Sequence, residues 1–151
     1  MTDVSVETVI DRPRSEVAGF TSDWQNDPKW IRALTDVRLV SEGPFGVGSR
    51  VARVARFLGR DMEYVNEIAE LVPGERLVMR SVKAPFPMTV TYRWADASDG
   101  TRMTIRTEGD ASGFYRIAGP ALSMAVRRGI RGDLEQLKEL MESRTEPAAV
   151  P

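Results

Sequence analysis

The strongest constraint on the fold is a change in the spacing of apolar residues near residue 113. Over 36–109, runs of β-branched and aromatic residues are separated by turn sequences such as Gly59-Arg60, Pro73-Gly74 and Asp99-Gly100, a pattern typical of strands joined by hairpins. Over 113–143 the apolar residues recur every three to four positions, as on an amphipathic helix. These positions are Ala118, Leu122, Val126, Ile130, Leu134, Leu137 and Met141. We therefore predict six strands followed by one long helix, which Gly119-Pro120 would kink or divide near its start.

The segment before residue 36 predicts one strand and two short helices. Apolar and polar residues alternate over Asp3–Ile10, as in a half-buried strand. Pro13 suits the first turn of a helix that runs to about Ser22, and Asp27-Pro28 predicts a second helix with Trp30 on its apolar side. The predicted class is α+β, with an antiparallel sheet that is solvated on one face. Only the long helix is large enough to cover the other face.

Alternation along the strands separates an inward set of side chains from an outward set. The inward set is rich in methionine and aromatic residues: Phe57, Met62, Tyr64, Met79, Met88, Tyr92, Trp94 and Met103. This composition suits an adaptable apolar pocket, and an ordinary filled core would explain it equally well. The outward acidic residues Asp61, Glu63 and Glu67 would pair with arginines across the strands, so we expect no metal site.

The turn between the strands around residue 59 decides whether Arg53 faces inward. Leu58-Gly59-Arg60-Asp61 fits a type II′ hairpin with Gly59 at its first central position. The predicted pairs are Phe57 with Met62, Ala55 with Tyr64, Arg53 with Asn66, Val51 with Ile68 and, on the outer face, Arg56 with Glu63. Arg53 then faces inward, whereas a bulge in its strand would turn it outward.

Composition excludes several classes of site. The 151 residues contain no cysteine and no histidine, which removes thiolate chemistry, most zinc and iron–sulfur sites, and the commonest general base. A net charge of -1 gives no field that would attract nucleic acid, and the glycines at 43, 46 and 48 match no nucleotide loop. We expect one cytoplasmic domain over 1–144, a disordered tail over 145–151, no cofactor, no stable membrane insertion, and a monomer or weak homodimer.

Three stretches carry a resemblance to a known family. They are Val17-Ala18-Gly19-Phe20-Thr21-Ser22-Asp23 leading to Asp27-Pro28-Lys29-Trp30, the turn Gly46-Val47-Gly48, and Arg128-Gly129-Ile130-Arg131-Gly132-Asp133-Leu134-Glu135-Gln136-Leu137-Lys138. The chain resembles the START-like (SRPBCC) superfamily, in its polyketide cyclase/dehydrase and lipid-transport branch. The resemblance implies a helix-grip fold, in which a seven-stranded curved antiparallel sheet wraps around a long C-terminal helix, with two short helices between strands 1 and 2. It also implies a cavity for lipids, sterols or aromatic polyketides, and it carries over no catalytic motif.

We expect the ligand to lie between the sheet and the long helix. The predicted lining is Trp30, Arg53, Phe57, Met62, Tyr64, Asn66, Met79, Met88, Tyr92, Trp94, Met103, Leu122 and Val126. Arg53, Tyr64, Asn66 and Tyr92 are the polar anchors, suited to a carboxylate, phenol or carbonyl. The alternatives are an internal salt bridge for Arg53 and a helix-anchoring role for Trp30.

Three functions remain open from the sequence. The first is a carrier or sensor of a small apolar or aromatic molecule. The second is a polyketide aromatase/cyclase or dehydratase with Arg53, Tyr64, Tyr92 and Glu108 as candidate catalytic residues. The third is a protein-interaction module without a ligand, which binds through its groove or the Pro85-Phe86-Pro87 loop.

Overall fold

A seven-stranded antiparallel sheet and a long C-terminal helix dominate the computed structural model, which describes residues 2–144. The strands are β1 (Thr2–Ile10), β2 (Leu34–Leu39), β3 (Arg50–Phe57), β4 (Arg60–Val72), β5 (Arg76–Lys83), β6 (Met88–Ala97) and β7 (Gly100–Gly109). The helices are α1 (Arg14–Ser22), a 3-10 helix (Trp24–Lys29), α2 (Ser112–Tyr115) and α3 (Gly119–Glu142). The predicted strand count and class are confirmed, and the predicted tail over 145–151 lies outside the described residues.

The strand order places the first and second strands at opposite edges of the sheet. The order is β1-β7-β6-β5-β4-β3-β2, so every connection after β2 joins neighbouring strands. The sheet curls into a half-barrel, as in the helix-grip fold. Helix α3 packs beside β1, where Lys138 Nζ donates to the Val9 carbonyl at 2.6 Å and Arg127 donates to the Ser5 carbonyl at 3.0 Å. These contacts cover carbonyl groups of a strand that would otherwise have a free edge.

The C-terminal half of α3 closes one end of the half-barrel. Leu134, Leu137 and Met141 are at most 1% exposed, and they belong to the same apolar cluster as Ile10 and Met103. Toward the other end of the helix, Val126 and Ile130 are only half-buried. The sheet and helix therefore form a packed core at one end and leave space between them at the other.

The long helix is divided near the predicted Gly119-Pro120 position. The short helix α2 is capped by the residue after it, Arg116, whose φ of +58° places it in the left-handed region. Helix α3 starts afresh at Gly119, with Pro120 in its first turn, where its missing N–H costs no hydrogen bond. At 1.5 Å per residue, the 24 residues of α3 span about 36 Å.

The prediction of a second helix starting at Asp27-Pro28 is wrong. The helix there is a 3-10 helix over Trp24–Lys29, and its N-cap is Asp23, which accepts a hydrogen bond from the Gln25 N–H at 3.0 Å. Pro28 lies near its end, and Trp30 follows it as the C-cap. The helix begins after Asp23, and not at Asp27, because the short acidic side chain of Asp23 accepts a hydrogen bond from a free N–H of the first turn.

The predicted register between β3 and β4 is also wrong, by two residues. The turn residues are Leu58 and Gly59, with φ of +53° and +76° as a type I′ turn requires, and Phe57 pairs with Arg60. The observed pairs are Ala55 with Met62, Arg53 with Tyr64, Val51 with Asn66 and Arg56 with Asp61. A two-residue shift leaves every side chain on its predicted face. The inward orientation of Arg53 is therefore confirmed, at 5% exposure.

Candidate functional site

A cavity of ≈460 Å³ lies between the N-terminal half of α3 and the inner face of the sheet. Its volume falls in the range of about 300–1,000 Å³ that small-molecule sites occupy. Most of its wall is apolar, and its predicted members are Phe57, Met62, Tyr64, Met88, Leu122, Val126 and the candidate base Glu108. Helix α3 is therefore one wall of the cavity, and strands β3, β4, β6 and β7 form the other.

A smaller cavity of ≈140 Å³ adjoins the first and is more polar in its lining. Both cavities are lined by Ile31, Tyr64, Val90, Thr107, Ile130 and Asp133. The smaller one also contacts Trp30, Arg53, Asn66, Met79 and Tyr92, all of them predicted site residues. The two spaces together give an apolar chamber with a polar inner end.

Two predicted site residues line neither of these cavities. Trp94 is 4% exposed and its indole N–H donates to Thr21 Oγ1 at 3.0 Å, while Met103 is fully buried. Both belong to the packed apolar cluster, at the end of the sheet where Trp94 contacts Thr21 of α1. They face inward as predicted, but at that end the core fills the space.

Four lining residues that the sequence did not predict are small or come from outside the strands. Ala55 and Gly129 contribute open space, and a Cβ on Gly129 would lie 3.6 Å from Phe57 Cε1. Tyr115 enters from α2, and Ile31 from the segment after the 3-10 helix. The glycine inside a helix was the one available signal, because glycine there costs about 1 kcal/mol relative to alanine.

A buried ion pair lies beside the smaller cavity. Arg53 Nη1 donates to Asp27 Oδ2 at 2.7 Å, and the two side chains are 5% and 3% exposed. Burial raises the pKa of Asp27 to about 6, although the Arg53 guanidinium acts in the opposite direction. Burial alone would lower the pKa of Arg53, but the neighbouring Asp27 carboxylate holds that pKa above its ordinary value. The internal salt bridge weighed for Arg53 is thus confirmed.

The two inward tyrosines stay protonated across the physiological range. Burial raises the pKa of the Tyr64 phenol, and it raises the pKa of the Tyr92 phenol further. Tyr92 also packs against Trp30, with ring centroids 5.8 Å apart. Both phenols therefore offer a hydrogen-bond donor and acceptor without a negative charge.

A second ion pair ties α3 to the chain that leaves the 3-10 helix. Asp133 Oδ1 accepts from the Arg32 backbone N–H at 3.1 Å and from Arg32 Nε at 3.2 Å. Burial raises the pKa of Asp133, although its bonds to Arg32 oppose the rise. A side chain on Gly132 would overlap the Arg32 guanidinium. This glycine therefore lets the pair form against the helix.

Aromatic rings surround the outer end of the larger cavity. Phe57 and Tyr115 meet edge to face with centroids 5.5 Å apart, and Phe86 lies 5.9 Å from Phe114. The Arg60 guanidinium stacks over Phe114 at 3.8 Å. These rings come from β3, the β5–β6 loop and α2, so an apolar rim joins three separate elements.

Within residues 2–144, no helix is long and apolar enough to span a membrane. The same residues contain no group of three or more acidic side chains placed to hold a metal ion. Asp61 instead pairs with Arg56 at 2.9 Å, and Glu67 with Arg50 at 4.0 Å.

Comparisons with known proteins agree with this geometry. The family described as polyketide cyclase / dehydrase and lipid transport matches residues 1–142. A Thermus thermophilus protein has a TM-score of 0.78 at 18% identity, covering 94% of this chain and 99% of its own. The Zhui aromatase/cyclase from Streptomyces sp. R1128 has 0.76 at 18%, covering 97% of each chain. A START superfamily protein from Mycobacterium smegmatis has 0.76 at 10%, covering 94% and 98%. No curated protein matches this sequence.

Proposed function

Because the chain belongs to the polyketide cyclase/dehydrase and lipid-transport family, we propose that it binds a small apolar or aromatic molecule between the sheet and α3, as a carrier or sensor. The observation that carries the proposal is the ≈460 Å³ cavity, whose wall is mostly aliphatic and aromatic. An ordinary domain fills such a space with side chains at close to crystal packing density. Here the space adjoins a fully packed core in the same fold.

The apolar wall alone supplies modest affinity. A ligand that buries about 300 Å² of apolar surface gains roughly 7 kcal/mol at 25 cal/mol per Å², against association costs of at least ~4 kcal/mol. The difference corresponds to weak binding. Tight or selective binding therefore needs the polar groups of the inner end, which include Arg53, Tyr64 and Asn66.

The proposal is tested by native mass spectrometry of the purified protein, followed by denaturing extraction of any bound molecule. A titration with the neutral fluorophore N-phenyl-1-naphthylamine measures the empty site directly. We expect saturable binding to one site, and at least a tenfold loss in Val126→Trp, because the larger side chain enters the cavity that Val126 lines.

Met124→Trp is the matched control for that substitution. Met124 lies on the same helix two residues away and is 62% exposed, so the new indole faces solvent. Equal binding by the two variants, or no saturable binding by the unaltered protein, would refute the proposed function.

The second candidate function is an aromatase/cyclase or dehydratase. It is favoured by the placement of Tyr64, a buried neutral phenol, and Glu108 on the same cavity. Glu108 would remove a proton from a substrate carbon while Tyr64 donates one to the carbonyl oxygen. From its position on the inner cavity, Arg53 would stabilise the negative charge that develops on that oxygen. Tyr92 lines the inner cavity and not the larger one.

Two measurements on one substitution distinguish the enzyme from the carrier. Tyr64→Phe removes the proton donor and keeps the ring, so an enzyme loses turnover of a polyketide substrate while probe affinity is retained. A carrier shows no turnover before or after the change. A densely filled interior would favour an interaction module over a ligand binder, so the cavity supports the carrier over the module.

A further inference from the structure

Several residues that line the inner cavity carry a buried polar atom without a hydrogen-bond partner. Five such side-chain atoms occur within residues 2–144: Thr2 Oγ1, Asp27 Oδ1, Trp30 Nε1, Arg53 Nε and Asn66 Oδ1. The residues of three of them line the ≈140 Å³ cavity, and Asp27 is the ionic partner of Arg53. Thr2 lines the larger cavity. A buried polar group without a hydrogen bond is costly, so a cluster of them around one space indicates that a polar group binds there.

The unpartnered atoms include both donors and acceptors. The Trp30 indole N–H and the Arg53 Nε–H only donate, whereas Asn66 Oδ1 accepts. A hydroxyl group satisfies both kinds, because it has one O–H donor and two lone pairs. A carboxylate or a ketone only accepts, and it would leave the Asn66 oxygen without a partner.

The charges of the two cavities are already neutralised. Four charged residues among 2–144 line them, and each has an ionic partner: Arg53 with Asp27 at 2.7 Å, Arg32 with Asp133 at 3.2 Å, and Glu108 with Arg106 at 3.4 Å. An anionic ligand would find no free cation in this lining and would meet three carboxylates nearby. A neutral ligand brings no charge out of water.

We propose that the ligand is a neutral amphipathic molecule whose hydroxyl group, alcoholic or phenolic, binds among Trp30, Arg53 and Asn66, with its apolar body in the larger cavity. This inference rests on the proposed function and narrows its ligand class. Of the carboxylate, phenol and carbonyl considered from the sequence, it selects the phenol and extends the choice to alcohols.

The test compares three ligands that share one ring system: naphthalene, 2-naphthol and 2-naphthoate. Their affinities are measured at neutral pH by displacement of N-phenyl-1-naphthylamine from the unaltered protein. We expect 2-naphthol to bind about tenfold tighter than naphthalene, since one or two buried hydrogen bonds supply that factor. We expect 2-naphthoate to bind at least tenfold more weakly than 2-naphthol, because its charge must be desolvated beside Asp27 and Asp133.

The substitution Asn66→Leu tests whether the Asn66 amide causes the preference for 2-naphthol over naphthalene. It replaces the amide with an apolar group of similar size, so the preference for 2-naphthol over naphthalene should fall to threefold or less. Ile105→Val is the control, because Ile105 lines the same inner cavity with no polar side-chain atom. It should retain the tenfold preference.

The outcomes separate this inference from the function on which it rests. Equal affinity for naphthalene and 2-naphthol, tightest binding by 2-naphthoate, or an unchanged preference in Asn66→Leu would overturn the hydroxyl site alone. Failure of all three ligands to bind would overturn the proposed function, and the hydroxyl site with it.

Discussion

Substituting Gly129 by leucine should make the protein more stable and a poorer binder. Glycine inside α3 costs about 1 kcal/mol relative to a good helix former. A Cβ at this position has room, with its nearest neighbour Phe57 Cε1 at 3.6 Å, and the residue lines the ≈460 Å³ cavity. Partial burial of the leucine side chain adds about 1.5 kcal/mol. The expected gain is therefore about 2–3 kcal/mol, or roughly 5–10 °C in Tm for a chain of this size.

The same side chain removes part of the ligand's contact surface. A loss of about 60 Å² of apolar contact costs about 1.5 kcal/mol at 25 cal/mol per Å², which weakens binding roughly tenfold. Thermal unfolding by circular dichroism and titration with N-phenyl-1-naphthylamine measure the two effects on one sample. Gly129→Ala, which adds a single methyl group, should give the helix gain of about 1 kcal/mol with little loss of affinity. A leucine variant that is less stable, or that binds the fluorophore as well as before, would contradict this placement of residue 129.

Two further substitutions test the buried ion pair and the hairpin. Asp27 has a folded pKa of about 6, above its unfolded value of 3.8, so its contribution to stability is complete below the unfolded pKa and is lost as pH rises through about 6. Arg53→Met removes the cation that lowers this pKa, so the pKa should rise further. The free energy of unfolding should therefore fall by about 3–5 kcal/mol near pH 8 and by less near pH 5. Equal losses at the two pH values, measured by urea unfolding, would contradict this prediction. Leu58→Asn should stabilise the protein by about 0.5–1 kcal/mol, since Leu58 has a φ of +53° in a type I′ turn that prefers Asn-Gly. A lower urea midpoint would contradict that account of the turn.

The sequence predicted which face each strand buries better than it predicted register. The turn between β3 and β4 was misplaced by one residue because glycine fits either central position, depending on turn type. That error shifts the pairing by two residues, and strand periodicity is also two, so Arg53 kept its inward orientation. Had the error been a bulge, Arg53 would have been assigned to solvent.

The alternation of apolar and polar residues shows which side chains face inward, but it does not show which of them line the cavity and which lie in the packed core. Trp94 and Met103 share a face with Tyr92 and Met88, yet they lie in the packed core, where Trp94 donates to Thr21 of α1. The partner of Arg53 could not be predicted either, because Asp27 belongs to a 3-10 helix that is distant in the chain. Both positions depend on the curl of the sheet, which no local pattern specifies.

Methionine methyl groups can show directly whether a ligand binds between the sheet and α3. Met62 and Met88 line the larger cavity, Met79 lines the inner one, Met103 and Met141 lie in the packed core, and Met124 is exposed. In protein labelled with ¹³C at its methionine methyls, nuclear Overhauser effects to bound 2-naphthol report which of these methyls the ligand touches. Binding between the sheet and α3 predicts contacts to Met62 and Met88, and none to Met124. Contacts to Met124 without those to Met62 and Met88 would place the ligand on the outer surface of the helix and contradict binding between the sheet and α3.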